Sequence, residues 1–390
     1  MTASPANTMD ADVKASQRLA TYLGRRPVLL ALLFLAAIVF FFVVSALSRA
    51  FHAQQAALAD RWFGRGVADL KAKRYDIAVL DFRSALRYSR DDYSCQLDLA
   101  QALMGQGKTN EAHAYLINLW DRQPENGFVN LELARIAARQ GETDKALRYY
   151  HNAIYATWPD DQEASRRFTR LELIEYLLKI NAKAQAQAEL IALEANIGRD
   201  AGLQAQLGDL FVRTQDYEHG LAAYRLSLKS EPHNHAALAG AGLAAFNLGQ
   251  YPVAERYLQE AIAADPEDAA SAAQLKTVED VLLMDPLRRG VSASERARTV
   301  MEDFEVAGSR LKSCLAPTSS PQLPSLQTLA GNWEKMKPRL SERVLRRDPD
   351  LVEEAMGLVF SIERQTNTAC GTPTGADKAL LLIARLHEGS

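Results

Sequence analysis

The sequence is poor in cysteine, and its 390 residues include only Cys95, Cys314 and Cys370. None of them belongs to a CxxC pair, so the paired spacing that structural zinc sites require is missing. His233 and His235 alternate in a predicted loop with no third ligand nearby, which is typical of a solvated turn. The sequence therefore predicts no metal site.

The sequence also lacks the motifs of common enzyme active sites. It contains no GxSxG nucleophile motif, P-loop, HExxH motif or dinucleotide-binding fingerprint. Carboxylates such as Glu172 and Glu175 recur at helical spacing, which is typical of surface ion pairs. We therefore expect no enzyme activity, no catalytic residue and no cofactor.

A large net charge is missing too, because 45 Lys and Arg are balanced by 48 Asp and Glu. Nucleic-acid binding needs a basic surface that neutralises phosphates, so this balance argues against a nucleic-acid partner. Hydrophobic residues make up 48% of the chain and charged residues 24%, which is typical of a globular protein with enough apolar material for a core.

One long apolar run lies near the amino terminus, after a polar tail at residues 1–26. Residues 27–48 contain no charge, and a helix of this length spans ~33 Å at ~1.5 Å per residue, enough to cross a bilayer. The run exceeds the ~7 to 15 apolar residues of a signal peptide. It predicts a retained transmembrane helix, with a cleaved signal peptide and a buried core helix as the alternatives.

The flanking cations predict the orientation of this helix. Arg25 and Arg26 directly precede the run, whereas Arg49 alone directly follows it. The positive-inside rule then favours a cytoplasmic amino terminus. We expect a single-pass protein of the plasma (inner) membrane, with the rest of the chain in the periplasm or otherwise outside the cytoplasm of a bacterium. The Arg25 and Arg26 pair is only a weak match to a twin-arginine export signal.

Small residues recur in the middle of the chain with a period of 34. One column of them consists of Ala78, Ala112, Ala146, Ala186, Gly220 and Ala254, with six extra residues before its fourth member. A second column consists of Gly66, Ala100, Ala134, Ile174, Gly208 and Gly242, of which only Ile174 is large. Bulky residues form a third column at Phe82, Leu116, Tyr150, Leu190, Tyr224 and Leu258. Small residues opposite large ones let helices approach closely, so the pattern predicts stacked helical hairpins.

This pattern resembles the tetratricopeptide repeat (TPR) family, whose signature columns match Trp62, Gly66, Ala78, Phe82 and Ala85 in the first repeat. The resemblance implies an all-α fold, a right-handed α-solenoid behind the transmembrane helix, with a small C-terminal helical region. It covers residues 59–268, as six repeats at residues 59–92, 93–126, 127–160, 167–200, 201–234 and 235–268. The six extra residues predict a longer or kinked first helix in the fourth repeat.

Further helices are predicted after the repeats. Residues 269–316 form capping helices, one of them begun by Ser292 and Glu295 as a capping box. The proline-rich segment 317–324 is a predicted linker. The C-terminal helical region, 325–390, contains predicted helices at residues 325–347, 350–365 and 376–386. It is a degenerate repeat, a partner-binding module or a dimerisation unit, and the oligomeric state stays open.

The resemblance also implies a concave groove that binds an extended or helical segment of a protein partner. Its positions are Phe63, Val67, Leu97, Gln101, Met104, Leu131, Arg135, Arg139, Leu171, Glu175, Lys179, Asp209, Arg213, Leu243, Phe246 and Asn247. Phe63 and Val67 replace the Lys and Asn with which some family members clamp a terminal carboxylate, so that ligand is not expected. Apolar ends and a mixed-charge middle predict a partner segment that is apolar at its ends and acidic near its middle.

Two functions remain open. The first is a membrane-anchored scaffold that binds protein segments and helps to assemble or regulate a cell-envelope complex. The alternative is an accessory or regulatory subunit of an envelope enzyme or biosynthetic machine, acting through the C-terminal helical region. If the domain is exported, Cys314 and Cys370 are candidates for a disulfide that joins the helices before and after the linker.

Overall fold

The computed structural model of the chain describes residues 9–158, 162–316 and 323–387. These residues form α-helices α1 to α18 and one short 3-10 helix. No strand occurs among them, and the single β-bridge joins Asn126 and Thr157. The predicted all-α fold class is confirmed. The chain divides into two compact units, residues 1–169 and 170–390.

The first unit begins with α1 (Met9–Lys71), which is 63 residues long. Within the described part of the chain, α1 is the one helix long and apolar enough to cross a membrane. Its apolar side chains lie exposed, and Phe34 and Phe40 are each 70% accessible. The helix continues without a break into the first repeat, so the apolar run and the first repeat helix share one axis.

The other helices of the first unit are α2 (Tyr75–Tyr88), α3 (Tyr93–Gly105), α4 (Thr109–Arg122), α5 (Gly127–Gln140), α6 (Thr143–Tyr155) and the first half of α7 (Gln162–Lys179). From α1 to α6, each helix packs against the next. Gly66 of α1 faces Phe82 of α2, and a Cβ on Gly66 would lie 2.6 Å from the ring. The expected packing of small against large residues is therefore present.

The second unit contains the rest of α7 and the repeat helices α8 (Lys183–Glu194), α9 (Ala201–Thr214), α10 (Tyr217–Ser230), α11 (His235–Asn247) and α12 (Tyr251–Ala264). With 18 residues, α7 is longer than the 13 or 14 of α3, α5, α9 and α11, as the extra residues predicted. Residues 159–161, at the end of the third predicted repeat and the start of the insertion, lie outside the described residues.

A column of Asp and Asn residues begins the first helix of most repeats. Asp92, Asn126, Asp200, Asn234 and Asp268 each accept a hydrogen bond from a backbone N–H in the first turn of the helix that follows. Such a side chain satisfies a donor that the helix itself leaves unpaired. These five caps explain why α3, α5, α9, α11 and α13 begin where they do.

A second column lies in the turn between the two helices of each repeat, where the backbone is left-handed. Glycine fills it in three repeats, as Gly107, Gly141 and Gly249. The other three repeats place Lys73, Asn181 and Gln215 there, with φ of 58°, 59° and 71°. Residues with a Cβ are strained in this conformation, and asparagine is the one that tolerates it best.

Beyond the repeats, the second unit continues with α13 (Ala269–Met284), α14 (Ala293–Leu315), α15 (Leu323–Met336), a 3-10 turn (Lys337–Arg339), α16 (Glu342–Leu345), α17 (Pro349–Cys370) and α18 (Gly375–Leu386). Ser292 caps α14, because its hydroxyl accepts the N–H of Glu295 at 3.1 Å. α14, α17 and α18 pack together around buried residues that include Phe304, Met356 and Leu380.

The single helix predicted at residues 325–347 is wrong. α15 ends at Met336, and the chain passes through a 3-10 turn that contains Pro338, which has no backbone N–H to continue the helix. Trp333 is buried and its Nε1 donates to the carbonyl of Phe304 at 3.0 Å, whereas Val344 is 40% exposed. Of the predicted linker, residues 317–322 lie outside the described part of the chain.

Candidate partner-binding surface

The predicted groove positions fall on both units and differ in exposure. In the first unit, Phe63, Val67, Leu97 and Gln101 are half-buried and Arg139 is exposed. Met104 and Leu131 are buried, at 8% and 4% exposure, so they offer a partner less area than expected. Both pack into the core because each lies on the side of its helix that faces a neighbouring helix.

A cavity of about 720 Å³ opens in the first unit. It is lined by the end of α1, the turn into α2, the helices α3 and α5, and the start of α7. The lining residues are Leu70, Lys71, Lys73, Tyr75, Gln101, Met104, Gly105, Phe128, Leu131, Glu132, Arg135, Arg139, Trp158, Ala164, Ser165 and Phe168. Five of the predicted groove residues therefore share one cavity.

An aromatic pair forms one wall of this cavity. The Trp158 indole donates to the carbonyl of Ala153 at 3.0 Å and meets Phe128 edge-on, with ring centroids 4.9 Å apart. The backbone of Thr157 accepts the N–H of Gly127 at 3.1 Å, and a side chain on Gly127 would collide with the indole ring. These contacts hold the wall in place before any partner binds. Trp158 was not predicted, because it follows α6 at the end of the third repeat, outside the columns of small and bulky residues.

Two further aromatic residues, Phe168 and Tyr75, line the cavity. Phe168 of α7 is 55% exposed, and the Arg135 guanidinium lies 5.9 Å from its ring centroid. Tyr75 lies against Gly105, where a Cβ would come within 2.5 Å of its ring. The accessible ring of Phe168 is the surface on which an incoming apolar side chain can stack.

The charged side chains among the described lining residues are mostly cationic: Lys71, Lys73, Arg135 and Arg139 against the single acid Glu132. Arg135 Nη1 lies 2.6 Å from Glu132 Oε1, so this pair is internally neutral. Lys71, Lys73 and Arg139 are exposed and form no ion pair with any described residue. The cavity therefore presents three cations to solvent.

The charged groove positions of the second unit are arranged differently. Arg213 forms two hydrogen bonds of 2.7 Å with the two carboxylate oxygens of Glu175, and Asp209 lies 3.8 Å away. The hydrogen bond from Arg213 lowers the pKa of Glu175 below its usual value. The expectation that Arg213 attracts an acidic partner loses its basis, since its charge is already balanced. Lys179 is exposed and has no ion pair among the described residues.

The apolar end of the predicted groove is largely occupied by internal contacts. Phe246 is half-buried and meets Tyr251 edge-on, with ring centroids 5.8 Å apart. Asn247 donates from its amide to the carbonyl of Leu243 at 2.8 Å, and Leu243 itself is 38% exposed. Leu171 is half-buried. Little continuous apolar surface is left here for a partner.

Cys314 and Cys370 form a disulfide between the ends of α14 and α17, with Cα atoms 5.9 Å apart. Beside it, Arg310 donates to Thr366 Oγ1 and to the carbonyl of Gly371, both at 2.9 Å. Cys95 is a buried free thiol whose pKa is raised to about 12 by burial. Across the described ranges, no group of three or more His, Cys, Asp or Glu is placed to hold a metal.

Helical hairpins stacked at a period of 34 residues, with caps and left-handed turns at fixed positions, define an α-solenoid protein. A family model described as tetratricopeptide repeat matches residues 97–162 and 205–269. These two segments of the chain consist of tetratricopeptide repeats.

Several solved structures are similar to the chain. The TPR protein YrrB, described as having an unusual peptide-binding site, is 15% identical, with 49% of this chain and 95% of that chain covered and a TM-score of 0.40. PilF of Pseudomonas aeruginosa is 15% identical, with 56% and 97% covered and a TM-score of 0.41. The C-terminal part of a TPR protein from Cytophaga hutchinsonii is 12% identical, with 61% and 93% covered and a TM-score of 0.45. Similarity at this level does not bear on function. None of the curated proteins matches the sequence.

Proposed function

We propose that the protein is a membrane-anchored TPR scaffold that binds a segment of a partner protein in the cavity of the first unit. By doing so it helps to assemble or regulate a cell-envelope complex. The observation that carries this proposal is the preformed cavity of about 720 Å³, with its fixed aromatic wall and three cations that form no ion pair with any described residue. A site of this size and rigidity suits several residues of a bound segment.

The membrane anchor is supported by the exposed apolar side chains of α1. Large apolar residues from Leu30 to Leu47 are between 36% and 71% exposed, which a soluble helix avoids and a bilayer core favours. The disulfide between Cys314 and Cys370 supports a location outside the cytoplasm, where disulfides persist. Together with Arg25 and Arg26, these features favour a cytoplasmic amino terminus and repeats on the other side of the inner membrane.

Reporter fusions test the anchor and its orientation. Alkaline phosphatase joined after Ser390 should be active, and green fluorescent protein at the same site should be dark. The full chain should stay in the membrane fraction after carbonate extraction. A fluorescent carboxyl-terminal fusion would overturn the orientation, and release by carbonate would overturn the anchor.

Site-specific crosslinking in intact cells tests the binding site. The photoreactive residue p-benzoylphenylalanine in place of Gln101 lies at the cavity, and the same residue in place of the exposed Arg87 on α2 is the matched control. A third site, Lys335, probes the C-terminal helical region. One identified partner should crosslink from Gln101 and not from Arg87. Crosslinking from Lys335 alone would instead support the accessory-subunit function.

A further inference from the structure

We infer that the segment bound in this cavity is acidic and carries an aromatic or large apolar residue among its acidic side chains. The inference rests on the proposed function, because it names the chemistry of the partner for the same cavity. Four properties of the cavity support it: the balance of charge, the unusual position of Lys73, the exposed aromatic surface and the distance from the membrane.

The balance of charge favours carboxylates. Lys71 reaches the cavity from the end of α1, Lys73 from the turn that follows α1, and Arg139 from α5. A carboxylate bound between them displaces no ion pair among the described residues, whereas a basic segment meets like charge on two sides. Glu132, the one acid among the described lining residues, is only 8% exposed and already bound to Arg135, so it does not attract a basic partner.

Lys73 has a left-handed backbone conformation, which is unfavourable for any residue with a Cβ atom. Its φ of 58° is left-handed, and the equivalent residues are Gly107, Gly141 and Gly249 in three repeats and Asn181 and Gln215 in the other two, so Lys73 is the one charged residue at this position. A lysine here makes the turn more strained than a glycine would. It also places an ammonium group at the edge of the cavity, so the strained residue contributes a charge that glycine could not supply.

The aromatic surface favours an aromatic or large apolar anchor. Phe128 and Trp158 form a fixed wall, and the ring of Phe168 is more than half exposed beside the Arg135 guanidinium. A ring inserted here can stack on Phe168 and extend the cation-π contact of Arg135. Buried aromatic anchors contribute most of the binding energy in many interfaces, while the surrounding charges set specificity.

The distance from the membrane favours a protein segment over an anionic lipid headgroup. Residues 48 to 71 are continuous helix, which corresponds to ~35 Å at ~1.5 Å per residue. The headgroups of the bilayer that holds α1 are therefore far from Lys71 and Lys73. An acidic extramembrane segment of a partner can reach the cavity.

Selection of peptides tests this chemistry directly. The full chain in nanodiscs of neutral phosphatidylcholine is exposed to a phage library of random dodecapeptides. We expect the bound pool to be enriched about threefold in Asp and Glu and also in Phe, Tyr and Trp. If the pool is instead enriched in neutral or basic peptides, and these peptides still bind in the cavity, the inference is overturned and the proposed function stands. No enrichment, together with no crosslink from Gln101, overturns the proposed function itself.

A pair of glycine variants separates charge from folding. Lys73→Gly removes the cation and relieves the left-handed backbone, and Gln215→Gly makes the same backbone change in a repeat that does not line this cavity. By calorimetry, the best selected peptide should bind Lys73→Gly about threefold to tenfold more weakly than wild type and Gln215→Gly with wild-type affinity. Unchanged binding to Lys73→Gly overturns the inference.

Nanodiscs that contain anionic phosphatidylserine test the lipid alternative. If acidic lipid occupied the cavity, these discs would weaken binding of the selected peptide at least tenfold in wild type and much less in Lys73→Gly. We expect the peptide to bind with equal affinity in neutral and anionic discs.

Replacement of every Glu and Asp of the peptide by Gln and Asn tests the role of charge. It should weaken binding at least tenfold in low salt, and a loss of affinity of less than twofold would overturn the role of charge.

Discussion

Arg139 and Arg213 occupy the same position of the third and fifth repeats, yet their surroundings differ. Arg213 is held by Glu175 and Asp209, whereas Arg139 has no ion pair with the described residues and lines an open cavity. The repeat position thus predicts that a side chain lies on the groove face, but its neighbours decide whether its charge is available to a partner. In the second unit this position is used for internal ion pairs, and in the first unit we propose that it belongs to a docking surface.

The two units also differ in their cores. The second unit contains a disulfide and the fully buried carboxyl groups of Asp303 and Glu363. In the described residues of the first unit, the one cysteine is the free thiol of Cys95. The stability of the second unit should therefore depend on redox conditions. It should also depend on pH more strongly than the first unit, where burial raises the pKa of Asp98 to about 6.

The largest expected effect comes from removing the disulfide. Cys314→Ser with Cys370→Ser should lower the free energy of unfolding of the second unit by ~4 kcal/mol, since the crosslink closes a loop with a sequence separation of 56 residues. Hydrogen exchange should show lost protection in α14 and α17 and unchanged protection in α3 to α5. Equal protection of α14 and α17 with and without reductant would contradict this.

The next effect concerns pH. Burial, followed by the charges of Glu302 and Asp285, raises the pKa of Asp303 to about 8. The pKa of Asp303 is higher in the folded than in the unfolded chain, so its protonated carboxyl group stabilises the folded state. This stabilisation is fully present below pH ~4 and is lost as pH rises through about 8. The second unit should lose ~3 kcal/mol between pH 5 and pH 7 from this group, at ~1.4 kcal/mol per pH unit.

The variant Asp303→Asn tests this pH dependence. Urea unfolding followed by hydrogen exchange in α14 should show a smaller loss of stability between pH 5 and pH 7 than wild type. Glu363 keeps a residual dependence in the same direction, because burial raises its pKa to about 8 as well. The variant Asp98→Asn in the first unit is the control and should leave the second unit unaffected. A full wild-type pH dependence in Asp303→Asn would contradict the prediction.

A smaller effect is expected at the left-handed turns. Lys73→Gly and Gln215→Gly should each stabilise their own unit by ~0.5 to 1 kcal/mol, because glycine relieves the left-handed strain and loses part of that gain to chain entropy. Thermal melting of the two variants beside wild type checks this. If Lys73→Gly lowers the melting temperature, the lysine must make a stabilising contact that the structure does not contain.

The smallest effect separates the two arginines. Arg213→Ala should cost less than ~1 kcal/mol of stability, since its ion pairs are exposed to solvent, and should leave partner binding unchanged. Arg139→Ala should leave stability unchanged and weaken partner binding. Urea unfolding and calorimetry on both variants test this. If Arg139→Ala lowered stability and Arg213→Ala weakened partner binding, the docking surface would lie in the second unit and not in the first.

Much of the fold follows from local sequence patterns. The 34-residue period predicts the repeat helices because small and large residues must interdigitate. The Asp and Asn caps that begin several of these helices were not predicted, although they recur at fixed positions of the repeat. The C-terminal region is harder, since Pro338 interrupts a continuous apolar stripe that predicts one helix. The tertiary pairs are beyond local patterns: Arg213 meets Glu175 from 38 residues away, and Trp158 enters the cavity wall from the segment that follows α6 at the end of the third repeat.

The most direct test of the central claim compares equivalent positions in the two units. The photoreactive residue p-benzoylphenylalanine in place of Gln101 reports on the cavity of the first unit, and in place of Asp209 it reports on the same repeat position in the second. In intact cells, we predict that an acidic segment of one identified partner crosslinks from Gln101 and not from Asp209. Crosslinking of that partner from Asp209 alone would contradict the account.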